Sequence, residues 1–167
     1  MKTDKPEFFV FCDIDGVLDL NLSKTEYTHD SVKALNYLLK KLEEKYDARL
    51  VITSDMRRDM LYVEELLEFS NLEHKKKVLA TPFEPFTSAS RSNDILSFLV
   101  DKRIYRGFEV PENLVVIDDN DYDFTEIFPP QAIIKTKYSL TMNQVKDYVQ
   151  NVLHLDVSDD DDLLPPG

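Results

Sequence analysis

Two aspartates directly follow the first apolar run of the chain, and this pair constrains the fold more than any other feature. Residues 8–14 read Phe-Phe-Val-Phe-Cys-Asp-Ile, as expected of a strand that is buried on both faces of a parallel sheet. Asp13 and Asp15 flank Ile14, and Gly16 then allows the chain to turn sharply. Charged side chains are rare in buried strands unless they are paired or ligated. The pattern is typical of a functional site; a solvated turn containing two aspartates is the alternative.

Segments with helical spacing alternate with further apolar runs along the chain. Helices are predicted from an N-cap at Asp30 or Ser31 to about Tyr46, around Met60 to Phe69, from about Asn93, and from a Thr141 cap through Val152. Strands are predicted at 8–14, 49–53, 78–80, 113–117 and 132–135. Strands that alternate with helices of about ten residues or more indicate right-handed crossovers. The predicted fold class is therefore α/β, a three-layer α/β/α Rossmann-like parallel sheet.

Length and charge set the domain organisation. Residues 1–155 fit a single domain, and residues 156–167 form an acidic tail that is expected to be disordered because it has little apolar surface to pack. The net charge is −12, from 32 acidic and 20 basic residues. Such a surface repels phosphate backbones, so a nucleic-acid substrate would need a local basic patch. The lysines at 75–77 and a group at Lys102, Arg103 and Arg106 are candidates, with a solvated surface as the alternative.

The composition also indicates a compartment. Cys12 is the single cysteine and has no partner for a disulfide. The chain has no run of about 18 apolar residues, which a membrane-spanning helix would need. We therefore expect a cytoplasmic protein that makes no membrane contact.

Polar residues close two more of the predicted strands. Thr53 and Ser54 follow one strand, and Asp118 with Asp119 closes another. In open parallel sheets, functional groups gather outside the carboxyl ends of the strands. The hydroxyls can donate to a phosphoryl oxygen, or can cap the helix that follows. The acids suit a hard cation such as Mg²⁺, and converging carboxylates would need one.

Other polar residues near these strand ends are weaker candidates. Asp121 and Asp123 lie close behind the acidic pair and could support it. Arg57 and Arg58 begin a predicted helix and are expected at the surface, or as a clamp on a phosphate. The three histidines are scattered and do not form a zinc motif.

With these motifs in place, the chain resembles the haloacid dehalogenase-like (HAD) phosphatases over roughly residues 8–155. Four motifs occur in the family's order: Asp13-Ile-Asp15-Gly-Val-Leu, Val51-Ile-Thr-Ser54, Arg91-Ser-Asn-Asp and Ile117-Asp118-Asp119. The patterns Thr-Ser-x-x-Arg, Ile-Asp-Asp-x-x-Asp and a Leu-Thr helix are similar to the phosphatase-like domain of bacterial RNA-repair proteins. Met56 stands where that group often has Trp, and Ser139 where Gly commonly precedes Leu-Thr.

The resemblance implies a role for each motif. Asp13 would attack phosphorus, and Asp15 would protonate the leaving group. A hydroxyl of the second motif would bind the transferring phosphoryl group; Ser54 is favoured, with Thr53 as the alternative. Arg91 would neutralise the negative charge of the nucleophile and the phosphate. Most members of the family have lysine at this position.

The resemblance also implies a cofactor. Asp118 and Asp119 would complete a Mg²⁺ site together with the carboxylate of Asp13 and the backbone carbonyl of Asp15. The catalytic set implied by the resemblance is thus Asp13, Asp15, Ser54 and Arg91, and the metal set is Asp13, Asp15, Asp118 and Asp119.

The resemblance therefore implies a Mg²⁺-dependent phosphohydrolase that forms an aspartyl-phosphate intermediate. The intervals between Asp13, Ser54 and Arg91 are nearly filled by crossover helices, so the cap domain should be minimal or absent. An open site favours a bulky phosphorylated substrate such as a nucleic-acid end or a phosphoprotein. Two alternatives stay open: a catalytically silent binding or regulatory module with the same fold, and phosphotransfer to an acceptor other than water.

Overall fold

Five parallel strands form one sheet in the computed structural model, which describes residues 5–22, 28–82, 91–101, 113–120 and 124–157. The strands are β1 (Glu7–Cys12), β2 (Asp47–Ile52), β3 (Leu79–Ala80), β4 (Leu114–Asp118) and β5 (Ile133–Lys135). Their order across the sheet is β3-β2-β1-β4-β5, and every neighbouring pair is parallel. The predicted parallel α/β sheet is confirmed.

Helices connect the strands. The α-helices are α1 (Asp30–Leu42), α2 (Met60–Phe69), α3 (Arg91–Asp101), α4 (Phe124–Ile127) and α5 (Met142–Asn151), and 3-10 helices occupy Asp55–Asp59 and Pro130–Ala132. No helix in the described part of the chain is both long enough and apolar enough to span a bilayer.

Alternation along the central strand divides the core between the two faces of the sheet. Phe8, Val10 and Cys12 belong to one apolar cluster, which also contains inner residues of α1, α2 and α5. Phe9 and Phe11 belong to the other, with residues of α3 and α4. Because successive strand residues point to opposite faces, one apolar run supplies both clusters. The three-layer prediction is confirmed by this arrangement.

The first strand ends two residues earlier than predicted. β1 stops at Cys12, because the backbone N–H groups of Val17 and Leu18 donate to the carbonyl of Ile14 at 2.9 and 2.8 Å and close a turn there. Asp15 therefore lies in this turn and not on the strand, so strand alternation does not set its direction.

The first helix also differs from the prediction at both ends. His29 is its N-cap, not Asp30 or Ser31, since the hydroxyl of Ser31 accepts a hydrogen bond from the Asp19 N–H at 2.8 Å instead. The helix ends at Leu42 rather than near Tyr46, because the chain must turn to enter β2. The other predicted elements agree within two residues, and the Thr141 cap is confirmed as a capping box with Gln144.

The basic cluster at 75–77 is placed away from the strand ends that carry the predicted site. Lys76 pairs with Glu43 and Asp47, and Asp47 begins β2, at the amino edge of the sheet. This placement agrees with a solvated ion-pair surface. The cluster at 102–106, the acids at 121 and 123, and residues 158–167 of the tail lie outside the described residues.

Candidate active site

Three neighbouring strands bring the predicted functional residues to the carboxyl edge of the sheet. The Asp13 N–H donates to the carbonyl of Ile117 at 3.0 Å, and the Thr53 N–H donates to the carbonyl of Cys12 at 3.1 Å. The residues that follow β1, β2 and β4 are thus held side by side by backbone hydrogen bonds. This is the place where parallel sheets collect their functional groups.

Asp13 and Asp118 are both buried at this edge. The two residues are 4% and 1% exposed, respectively. The strand alternation that sends Phe11 and Val116 toward α3 places Asp13 and Asp118 on that same face. The Asp13 Oδ1 atom accepts a hydrogen bond from the Ile14 N–H at 2.8 Å.

Asp119 completes a three-carboxylate cluster with these two residues. One carboxylate oxygen from each of Asp13, Asp118 and Asp119 lies within 4.8 Å of the others, and Asp119 faces solvent. The Asp118 Oδ1 atom accepts from the Asn120 N–H at 3.0 Å, whereas its buried Oδ2 atom has no hydrogen bond. A buried carboxylate oxygen without a hydrogen-bond donor, in an all-oxygen set, fits a hard cation such as Mg²⁺.

Burial raises the pKa of both inner carboxyls. For Asp13, burial is the largest influence and the Arg91 guanidinium opposes it. For Asp118, burial and then the nearby Asp13 charge raise the pKa to about 7, while the Asn120 N–H and Arg91 act against them. A bound divalent cation would reverse this balance and hold both groups ionised.

Arg91 brings a positive charge into the cluster. It is the first residue of α3, and its Nη1 atom lies 3.3 Å from Asp13 Oδ1 and 3.9 Å from Asp118 Oδ2. The same Nη1 group donates to the Thr53 carbonyl at 2.7 Å. The residue identified through the family resemblance is therefore in contact with the predicted nucleophile.

Ser54 and Asp15 occupy the same edge in different settings. Ser54 is buried, and its Oγ atom accepts from the Met56 N–H at 3.2 Å as the N-cap of the 3-10 helix. This bond uses the oxygen as an acceptor and leaves the hydroxyl hydrogen available to a ligand. Asp15 is exposed in the turn after β1, and its carboxylate is not part of the three-carboxylate cluster.

Gly16 makes the close approach of the turn to Asp119 possible. Its φ is +78°, and a Cβ atom there would lie 2.2 Å from Asp119 Oδ2. Any larger residue would therefore strain the backbone and displace a carboxylate of the cluster. The Thr136 hydroxyl also donates to the Gly16 carbonyl at 2.6 Å, which ties the turn to the end of β5.

Arg57 supports the site from inside the protein, so the expected surface position is wrong for this residue. It is buried and donates to the carbonyls of Thr53, Ser54, Thr81 and Pro82 at 2.8–3.1 Å. Its Nη2 atom also pairs with Asp94 Oδ2 at 3.0 Å, one helical turn after Arg91. Arg57 thus joins the ends of β2 and β3 to the start of α3. The Thr-Ser-x-x-Arg pattern in the sequence includes Arg57, but a pattern of this kind does not show that the arginine is buried.

Comparison with known protein families identifies the family of this domain. The family model described as HAD domain in Swiss Army Knife RNA repair proteins matches residues 9–146. No curated protein and no solved structure matches the chain. The matched range contains all four motifs that carry the resemblance.

Replacement of Gly16 by Ala should damage the carboxylate cluster. The left-handed backbone is expected to cost about 1–2 kcal/mol of unfolding free energy, and the displaced Asp119 should weaken stabilisation by Mg²⁺. Urea unfolding with and without Mg²⁺ measures both effects. The double variant Gly16→Ala/Asp119→Gly removes the clash, so its stability loss should be smaller than the sum of the single losses. Additive losses would show that the contact does not matter.

Replacement of Arg57 by Met should destabilise the protein by about 3–5 kcal/mol, because Asp94 and four backbone carbonyls would all lose the buried guanidinium. Chemical denaturation measures the loss. The neighbouring Arg58 is exposed, so Arg58→Met should change stability by no more than about 0.5 kcal/mol. Equal effects of the two substitutions would contradict the buried role of Arg57.

The raised pKa of Asp118 predicts a pH-dependent stability of the metal-free protein. The folded state holds the proton more tightly than the unfolded state, so this contribution is present at pH 4 and below and is lost as pH rises through about 7. Asp118→Asn should flatten that decline, and Mg²⁺ should restore the stability of the original protein at high pH. Melting temperatures across this range test it, with Asp30→Asn as an exposed control. An unchanged pH profile in Asp118→Asn would contradict the assignment.

Proposed function

This chain belongs to the family of HAD domains in Swiss Army Knife RNA repair proteins, and from that membership we propose that it is a Mg²⁺-dependent phosphomonoesterase acting through an aspartyl phosphate on Asp13. The observation that supports this proposal most strongly is the cluster of Asp13, Asp118 and Asp119, in which Arg91 contacts Asp13. HAD domains are typically phosphohydrolases, and the cluster has the oxygen ligands that their reaction needs.

The carboxylates of Asp13, Asp118 and Asp119 would hold the cation, and the backbone carbonyl of Asp15 would add a ligand, as the family resemblance implies. The buried Oδ2 atom of Asp118 supports this assignment because it has no hydrogen-bond donor. When bound, Mg²⁺ supplies positive charge that polarises the phosphoryl oxygens and offsets the negative charge of the cluster.

The first step is attack by a carboxylate oxygen of Asp13 on phosphorus. A bond forms between Asp13 and phosphorus while the bond from phosphorus to the leaving oxygen breaks, and protonated Asp15 gives its proton to that oxygen. Arg91 and the Ile14 N–H fix the direction of the Asp13 carboxylate through their contacts with Oδ1. An exposed Asp15, in a turn beside the nucleophile, is accessible to a leaving group that arrives from solvent.

The second step releases inorganic phosphate. Asp15, now ionised, takes a proton from water as the water oxygen bonds to phosphorus and the bond to Asp13 breaks. Both carboxyls thereby return to their starting states. Arg91 and the Ser54 hydroxyl would stabilise the charge on the phosphoryl oxygens in both steps.

The substrate we propose is a phosphorylated nucleic-acid end, in preference to a phosphoprotein. The described residues between β1 and α1 contain no helix or strand that could form a cap over the site, which leaves room for a bulky substrate. The family description refers to RNA repair. The net charge of −12 opposes non-specific binding along a strand, so recognition would concentrate on the end.

Replacement of Asp13 by Asn should abolish turnover, because the amide keeps the shape of the side chain but is not a nucleophile. We expect kcat for phosphate release in the presence of Mg²⁺ to fall by at least about a thousandfold. Substrates should include a generic aryl phosphate and short strands with a terminal phosphate. Asp30→Asn, at a side chain that is 95% exposed, should retain full activity.

Two results would contradict the proposal. Full activity of Asp13→Asn would remove the assigned nucleophile. Absence of turnover on every substrate, together with no stabilisation by Mg²⁺ and beryllium fluoride, would instead favour a silent binding module. Addition of small alcohols to the assay tests for phosphotransfer, which would appear as phosphorylated alcohol in place of free phosphate.

A further inference from the structure

The segment after β5 is held against the site at both of its ends. The Thr136 N–H donates to the carbonyl of Asp118 at 3.0 Å, and its hydroxyl donates to the carbonyl of Gly16 at 2.6 Å. Four residues later, the Leu140 N–H donates to the carbonyl of Val17 at 2.8 Å. Residues 137–139 are therefore fixed between anchors on the two stretches of chain that carry the carboxylate cluster and Asp15.

This short segment presents an aromatic ring and a cation to solvent. Tyr138 is 80% exposed, and the Lys137 Nζ atom lies 5.4 Å from the centre of the tyrosine ring. Tyr138 thus adds little to the core, although its hydrophobic ring would be more stable if it were covered. We call Lys137 and Tyr138 the rim pair.

The position of the rim pair distinguishes it from other exposed apolar residues. Single exposed residues are normal on protein surfaces, and Leu61 and Tyr62 on α2 are examples here. Tyr138, in contrast, is two residues from each anchor, and the anchors bond to the backbone of Gly16, Val17 and Asp118, beside the predicted site.

We propose that the rim pair binds the terminal nucleoside of a phosphorylated strand, with the Tyr138 ring stacked on the base and the Lys137 ammonium near a backbone phosphate. This inference rests on the proposed function, because it identifies the substrate of that same site. Aromatic side chains that stack on unpaired bases, beside basic groups, are the usual means of binding single-stranded nucleic acid.

The charge of the protein makes such a local contact necessary. With a net charge of −12, long-range attraction cannot hold a strand at the site. Stacking depends on contact and not on charge, so it can select an unpaired end while the rest of the strand is repelled. A phosphopeptide lacks a base, and its binding should not depend on Tyr138 in this way.

The test is a binding measurement that needs no turnover. In the Asp13→Asn background with Mg²⁺, fluorescence anisotropy gives the Kd for short single-stranded RNAs that carry a terminal phosphate at either end. Matched strands carry an abasic residue in place of the phosphorylated nucleoside. Tyr138→Ala should raise the Kd for the base-bearing strand by at least about fivefold and leave the Kd for the abasic strand nearly unchanged. Tyr138→Phe should retain binding, and Tyr62→Ala is the matched control.

Three results would overturn the proposal: equal losses for the base-bearing and abasic strands, no measurable binding of any strand, or a Tyr138-dependent binding of phosphopeptides. Failure of the phosphatase proposal is recognised separately. It would appear as full activity of Asp13→Asn, or as no turnover together with no stabilisation by Mg²⁺ and beryllium fluoride, whatever the effect of Tyr138 on binding.

Discussion

The burial of like charges at one edge of the sheet is the constraint on which the rest of this site depends. Asp13 and Asp118 are almost fully enclosed, and an oxygen of Asp119 lies within 4.8 Å of theirs. Such a cluster is costly unless positive charge balances it. Arg91 supplies part of that balance from α3, and the unsatisfied Oδ2 atom of Asp118 indicates where a cation would complete it.

Polar contacts around the cluster hold its charged side chains in place. Arg57 ties the ends of β2 and β3 to Asp94, and this contact fixes the helical turn that begins with Arg91. Gly16 lets the turn after β1 pass next to Asp119, and Thr136 fixes the same turn from the other side. In the proposed mechanism, preorganised polar contacts, and not an enclosing cap, orient the reacting groups.

Local patterns in the sequence predicted much of the fold, and tertiary contacts explain the parts that they did not predict. The apolar runs before Asp13 and Asp118 placed both acids at strand ends, because strand burial and alternation are local properties. The early end of β1 depends on a turn at Ile14, and α4 has only four residues, too few for a periodic signal. Arg57 is buried against Asp94, which lies 37 positions away in the sequence. Arg91 was identified only through the family resemblance.

The proposed mechanism requires Asp13 to carry the phosphoryl group during turnover. Rapid quenching of the reaction with borohydride would reduce an aspartyl phosphate to homoserine, which peptide mass spectrometry locates by residue. We predict conversion at Asp13 when substrate and Mg²⁺ are both present, and no conversion when either is omitted. Phosphate release accompanied by an unmodified Asp13, or by modification of a different aspartate, would contradict this mechanism.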